Sequence, residues 1–174
     1  MRLGLLLVTT LLLLPTLAGC VSEEEELEKF PDFNATADDG QVYNLEKMSN
    51  TPFIVMFSAE WCNSPCYSTM HSMWSAEANL PVLVMSTDPA ENAGGVTLEQ
   101  WHESADAHDD EDENAGVNLS TYAFMKGDVI AQELGIKSPG TIMFVNSDGE
   151  ITDTHVGLLE EKEAILDYWA TAKQ

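Results

Sequence analysis

The sequence predicts an α/β sandwich built on a mixed central sheet, and three features carry that expectation. Two continuous apolar runs, Pro52 to Phe57 and Pro81 to Ser86, have the length and composition of strands covered on both faces. Segments with helical spacing or helix caps separate the strands. A strand–turn–strand unit at 141–155 is followed by an amphipathic helix, which completes the alternation of buried strands and helices.

In chain order, Phe33–Ala37 and Gln41–Leu45 flank Asp38-Asp39-Gly40, an Asp-Gly turn signal that predicts a β-hairpin. The first buried strand follows at 52–57. Pro65 suits a first helical turn, and apolar residues at 66, 70, 73, 74 and 78 continue with helical spacing. The second buried strand is 81–86. Thr97-Leu-Glu-Gln100 has the form of a capping box and opens a helix through about His108. Asp109 to Asn114 is an acidic loop. Asp128 caps a short helix ending at Gly135. Thr141–Val145, a turn over Asn146–Gly149, and Glu150–His155 form the late hairpin. Leu158, Leu159, Ile165, Leu166, Trp169 and Ala170 are expected on one face of a final helix. Leu98 and Trp101 are expected to tack the acidic helical segment to the domain. His155, on a strand facing the last helix, reads as structural.

The 174 residues allow one compact domain with a leader and a linker, and the 44% hydrophobic content supports a sizeable core. Asp and Glu number 30 against 7 Lys and Arg, a formal net charge of −23. Such a surface repels polyanions, so nucleic acid is not an expected partner. The same excess fits adaptation to high salt or an acidic protein of no special habitat, and composition does not separate the two.

Arg2 precedes an apolar run, residues 3–18, of the physical form of an export signal. The run is shorter than a bilayer span needs, and Pro15 interrupts it, which makes a retained anchor the second choice. It ends in Leu17-Ala18-Gly19-Cys20, which resembles the lipobox of exported lipoproteins, where the chain is cut before a cysteine that then carries lipid. The alternative is an incidental Cys20 in an uncleaved leader. Residues 21–30, with Glu23 to Glu26 in a row, read as a solvated tether. The expected division is a signal peptide at 1–19, a lipidated Cys20 and acidic linker at 20–30, and a folded domain at 31–174 with an acidic helical insertion at about 88–120.

If Cys20 carries lipid, two of the three cysteines remain, four residues apart in Phe57-Ser-Ala-Glu-Trp-Cys-Asn-Ser-Pro-Cys66. This segment leaves a buried strand and opens a helix. Unpaired N–H groups and the helix dipole there stabilise a thiolate at Cys62. Cys66 lies one turn on, close enough to attack a mixed disulfide. Trp61 is expected to flank the nucleophile and limit water access. A static structural disulfide is the bland alternative. The loosely spaced His102, His108 and Asp106 to Glu113 define no metal site and read as a solvated insertion. Met70, Met73 and Trp74 read as core, and His71 as solvent-facing or capped.

The strand, Ala59-Glu60-Trp61-Cys62, Pro65-Cys66 and the helix together resemble the thioredoxin superfamily. The leading hairpin is more similar to its TlpA, ResA and peroxiredoxin-type branch, whose members are often membrane-anchored. Leu134 to Gly149 resembles that family's cis-proline loop with its following strand and Asp-Gly turn. The resemblance spans roughly 30–173 and implies a thioredoxin-like sandwich. It implies that Cys62 attacks and Cys66 resolves, with Trp61, Pro65, Ser138 and Pro139 meeting the substrate chain. It further implies protein disulfide or dithiol substrates, a membrane electron donor, an extracytoplasmic location and no cofactor beyond the redox-active disulfide.

Three departures stand out. Three residues separate the cysteines where two are usual. Gly140 intervenes between Pro139 and Thr141. Met56 occupies the slot of the family's buried acid. The two extra residues fall on loops that face each other in this fold and are expected to compensate. The C-x-x-x-C spacing also resembles copper-binding Sco-type proteins, although Lys137 to Thr141 lacks their loop histidine. A soft Cu(I) site drawn from Cys62, Cys66, Met70 and His71 is the alternative reading. A thiol peroxidase would want threonine at position 59, where Ala59 stands.

Overall fold

The computed structural model describes residues 26–108 and 116–174. The leader, Cys20, most of the Glu run and the acidic loop from Asp109 lie outside the described residues.

A five-stranded mixed sheet forms the centre, in the order β5-β4-β3-β6-β7. Its strands are β3 (Phe53–Ser58), β4 (Val82–Ser86), β5 (Ala123–Lys126), β6 (Thr141–Val145) and β7 (Ile151–Val156). The first three run parallel, and β6 and β7 are antiparallel to their neighbours. The predicted hairpin is present as a separate two-stranded sheet, β1 (Asn34–Thr36) with β2 (Val42–Asn44). The helices are α1 (Leu45–Met48), α2 (Ser64–Ala76), α3 (Leu98–Asp106), α4 (Asp128–Glu133) and α5 (Lys162–Ala172).

Strand alternation sorts the side chains into two cores. Ile54, Met56, Val82, Val84, Phe124, Ile142 and Phe144 face α2, α3 and α5 and pack with Cys66, Met70, Met73, Trp101, Ile165 and Trp169. Phe53, Val55, Phe57, Leu83, Met85, Met125, Met143 and Val145 face the hairpin and α4. Every residue of β3, β4 and β6 is buried, as continuous apolar runs require.

The structure departs from the sequence expectations in several places. Strand β5 was not foreseen: four residues give too short a pattern to stand out. It pairs parallel with β4, so α3 is the crossover helix between two neighbouring strands, not an appendage. Helix α3 has the predicted capping box, with Thr97 and Gln100 bonded reciprocally. Trp101 buries its ring edge-on to Phe124 at 4.9 Å, which is how α3 is tacked down. His102 is not solvated. Its Nδ1 lies 2.6 Å from Asp38 Oδ2 and its Nε2 lies 3.0 Å from the Leu119 carbonyl, so the ring bridges the hairpin turn and the segment ahead of β5. Asp38, foreseen only as a turn residue, also accepts from the Phe124 N–H at 2.9 Å and ties the hairpin to β5 and α3. In α5 the inward face is Ile165, Trp169 and Ala172. Leu158, Leu166 and Ala170 are exposed, and Leu159 is buried just ahead of the helix.

The end of the expected linker also packs. Phe30 N–H donates to the Gly149 carbonyl, and Ile151 N–H donates to the Glu28 carbonyl, at 2.8 Å each. The Phe30 ring is buried edge-on to Phe33 and Phe53 and stacked on Phe57. The apolar Phe30 ends the acidic tether because it closes the core under the hairpin. Phe30→Ala is therefore expected to cost about 3–5 kcal/mol in urea unfolding, the range for deleting a buried aromatic. A loss under about 1 kcal/mol, the size of a surface change, would show that this segment is not part of the domain.

Candidate redox site

The site is built where β3 runs out. Thr87 N–H donates to the Ser58 carbonyl, and Cys62 N–H donates to the Ala59 carbonyl at 2.9 Å, so residues 59–62 turn tightly off the strand. Asn63 takes the N-cap position of α2 with no side-chain cap bond, and Pro65 lies in the first turn. Proline fits there because its missing N–H would have had no helical partner. Cys62 thus sits just ahead of the helix and Cys66 within its first turn.

The two sulfurs are bonded to each other, with Cα atoms 5.9 Å apart, inside the normal span for a disulfide. Their surroundings differ. Cys66 is 2% exposed and belongs to the core with Met56 and Met70, whereas Cys62 is partly exposed. Of the two sulfurs, Cys62 is therefore the one open to an incoming thiolate. The helix N-terminus beside it favours the anionic form.

The other expected contact residues have mixed fates. Trp61 is 57% exposed, so it flanks Cys62 without shielding it from water. Pro65 and Ser138 are exposed and Pro139 is half-buried. Gly140 N–H donates to the Phe57 carbonyl, and Gly157 N–H donates to the Gly140 carbonyl, both at 2.8 Å. These bonds hold the 138–140 loop against the end of β3, so both loops with an extra residue lie at the same end of the sheet. No cis peptide occurs among the described residues, so the expected cis-proline geometry is absent. The inserted Gly140 adopts φ +88° and makes the turn, a conformation that costs glycine nothing.

Met70 and Met73 are fully buried, as core residues should be. His71 is not solvent-facing: it is buried, with Nε2 2.7 Å from the Ala105 carbonyl on α3. Among the described residues, no group of three or more His, Cys, Asp or Glu side chains is placed to hold a metal ion. His155 Nε2 donates to the Leu158 carbonyl, a structural role.

Sequence reasoning missed one residue. Glu60 was read only as part of the Ala-Glu-Trp-Cys string, yet its side chain is 1% exposed. Ser86 Oγ donates to its Oε2 at 2.6 Å, and Lys126 Nζ donates to its Oε1 at 2.5 Å. The available signal was Lys126 itself, a rare cation directly after an apolar triplet. Met56 is buried where the family acid would be, and the buried carboxylate stands four residues later. Burial raises the Tyr67 hydroxyl above its ordinary value, a hydrogen bond with Trp101 works against this, and the charge of Glu60 adds to it.

No protein-family model matches the chain, and no curated protein matches it by sequence. Solved structures do match. A thio-disulfide isomerase from Thermus thermophilus aligns with TM-score 0.64 at 18% identity, over 84% of this chain and 95% of its own. This chain has the thioredoxin-like fold. An exposed lipoprotein thioredoxin from Streptococcus pneumoniae aligns with TM-score 0.58 at 22% identity, covering 80% of this chain and 98% of the other. A Sco-family protein, described through a disulfide switch, aligns with TM-score 0.61 at 17% identity, over 84% and 94%. The mixed sheet flanked by helices and the cysteine pair at the β3–α2 junction agree with the sequence expectation.

Gly140→Ala forces a side chain into the left-handed region at the active edge, and Gly40→Ala, at φ +74°, does the same in the hairpin turn. Each should lower unfolding stability by about 1–2 kcal/mol. Only Gly140→Ala should slow reduction of the disulfide by dithiothreitol. Equal reduction rates in the two variants would show that the 138–140 loop has no part in access to the sulfurs.

Proposed function

We propose that this protein is an extracytoplasmic thiol–disulfide oxidoreductase, tethered to the membrane through a lipid on Cys20. The observation that carries the reading is the disulfide between a reachable Cys62 and a buried Cys66 at a helix start. A static structural bond would gain nothing from that asymmetry. The thioredoxin-like neighbours, among them a thio-disulfide isomerase and an exposed lipoprotein thioredoxin, support it.

In the reduced protein the Cys62 thiolate attacks one sulfur of a substrate disulfide. That bond breaks, and the departing sulfur leaves as a thiolate that takes up a proton. Cys66, deprotonated in turn, attacks Cys62 sulfur, which re-forms the internal disulfide and expels the second substrate sulfur. The substrate gains two electrons and two protons, and the protein loses them. A membrane dithiol donor would run the sequence backwards to restore the pair. Substrates are protein disulfides that can approach Trp61, Pro65 and the Ser138–Pro139 loop.

Cys62→Ser is expected to abolish exchange with a model disulfide, and Cys66→Ser to accumulate a mixed disulfide visible by mass. Retention of full activity in Cys62→Ser excludes the mechanism. Cys20→Ser should move the protein from the membrane to the soluble fraction of the cells that make it. Membrane retention of that variant would exclude the lipid tether.

The similarity to a Sco-family protein supports one second reading, Cu(I) binding by the same cysteines. Thiolate and thioether sulfur suit that ion. Met70 is locked in the core, and His71 meets the Ala105 carbonyl through Nε2, which leaves its buried Nδ1 as the one ring nitrogen open to a ligand. Anaerobic Cu(I) titration of the reduced protein separates the two. Stoichiometric sub-micromolar binding lost in both cysteine variants would favour copper delivery; weak binding would favour exchange.

A further inference from the structure

The three parallel strands end in register. Ser58 of β3 stands opposite Ser86 of β4, which stands opposite Lys126 of β5. The row two residues earlier is Met56, Val84 and Phe124, all in the core that contains Cys66 and Tyr67. Strand side chains repeat every two residues, so Ser58, Ser86 and Lys126 point to that same α2-covered face. The rim under the first turn of α2 is therefore a polar shelf laid over an apolar one. Ser58 Oγ is buried there without a hydrogen-bond partner.

Glu60 closes this shelf. Its carboxylate spans Ser86 and Lys126, and Lys126 Nζ also reaches the Asp88 carbonyl at 3.4 Å. Two peptide steps separate Glu60 from Cys62, so their Cα atoms lie within about 7.6 Å. The charged and titratable groups that act on Glu60 are Lys126 at the end of β5 and Tyr67 on α2; Asp88, just after β4, turns its carboxylate to the Ala90 N–H. A surface acid would do nothing of note at this distance. A carboxylate 1% exposed, paired with an ammonium 26% exposed, acts through poorly screened space.

We propose that Glu60 is a positioning residue for the cysteine pair: anchored to Ser86 and Lys126, it pins the Cys62 loop to the strand ends and, with Lys126, sets how readily the reduced pair ionises. The proposal deepens the exchange reading and rests on it. The two charges act in opposite senses. The carboxylate opposes a second anion on sulfur, and the ammonium favours it. Because the sequence supplies so few cations, placing one here commits a scarce group to the shelf.

The test is alkylation of the reduced full domain by iodoacetamide, a neutral reagent, across pH 5 to 9. Glu60→Gln should alkylate Cys62 faster at the acid end, by on the order of tenfold, and Lys126→Gln slower by a similar factor. Lys126→Arg keeps the charge and should restore the wild-type profile. Thermal unfolding of each variant reports the pinning separately. A merely structural pair would shift both profiles the same way or neither, and either result overturns the proposal. Should Glu60→Gln fail to fold, Lys126→Gln against Lys126→Arg still decides, since equal profiles refute it. Alkylation needs no physiological substrate, so an inert wild type in disulfide exchange would defeat the exchange reading while leaving this result readable.

Discussion

The chemistry of this protein depends on how the chain leaves β3. A fully buried strand in the middle of the sheet delivers residues 59–62 to the sheet rim, and α2 starts at once with Pro65 in its first turn. That junction bonds two sulfurs across one turn, one in the core and one near solvent. The core side fixes Cys66 through Met56, Met70 and Tyr67. The open side leaves Cys62 to meet another thiol. The rest of the fold supports this arrangement. The two sheet faces bury β3 from both sides, and the 138–140 loop is bonded to its last turn.

Charge is distributed with the same economy. With Asp and Glu in such excess, each cation has many carboxylates to choose from, yet the lysines take specific places. Lys29 bonds Glu150 and the Asp148 carbonyl where the tether joins the sheet. Lys47 caps the Tyr43 ring beside the hairpin, Lys173 lies over Trp169, and Lys126 serves Glu60. The exposed Lys29–Glu150 pair is worth little on its own. Lys126 differs because its partner is buried, where loss of one member leaves an uncompensated charge.

The sequence made legible whatever was written in long or strongly typed patterns. The runs at 52–57 and 81–86, the capping box at Thr97, the hairpin turn and the Asp-Gly late turn all appear where their chemistry places them. The cysteine pair was legible because its position, strand before and proline after, constrains it more than its composition does. What stayed hidden was tertiary. Strand β5 has four residues and draws its stability from β4, so no local period marks it. Phe30 looked like the end of a polar tether, and only its partners Phe33, Phe53 and Phe57 reveal it as core. The partners of His102, His71 and Glu60 were not legible, since burial with a partner leaves no trace in spacing. The proline loop resembles a family pattern, and the sequence did not show that Gly140 would take a positive φ there.

The most direct test of the central claim is a redox titration of the native protein against dithiothreitol buffers, with the cysteine state read by mass after alkylation. The account predicts one reversible two-electron couple, with a slope of about 30 mV per decade, while the fold is retained. A disulfide that yields only after denaturant unfolds the domain would contradict it.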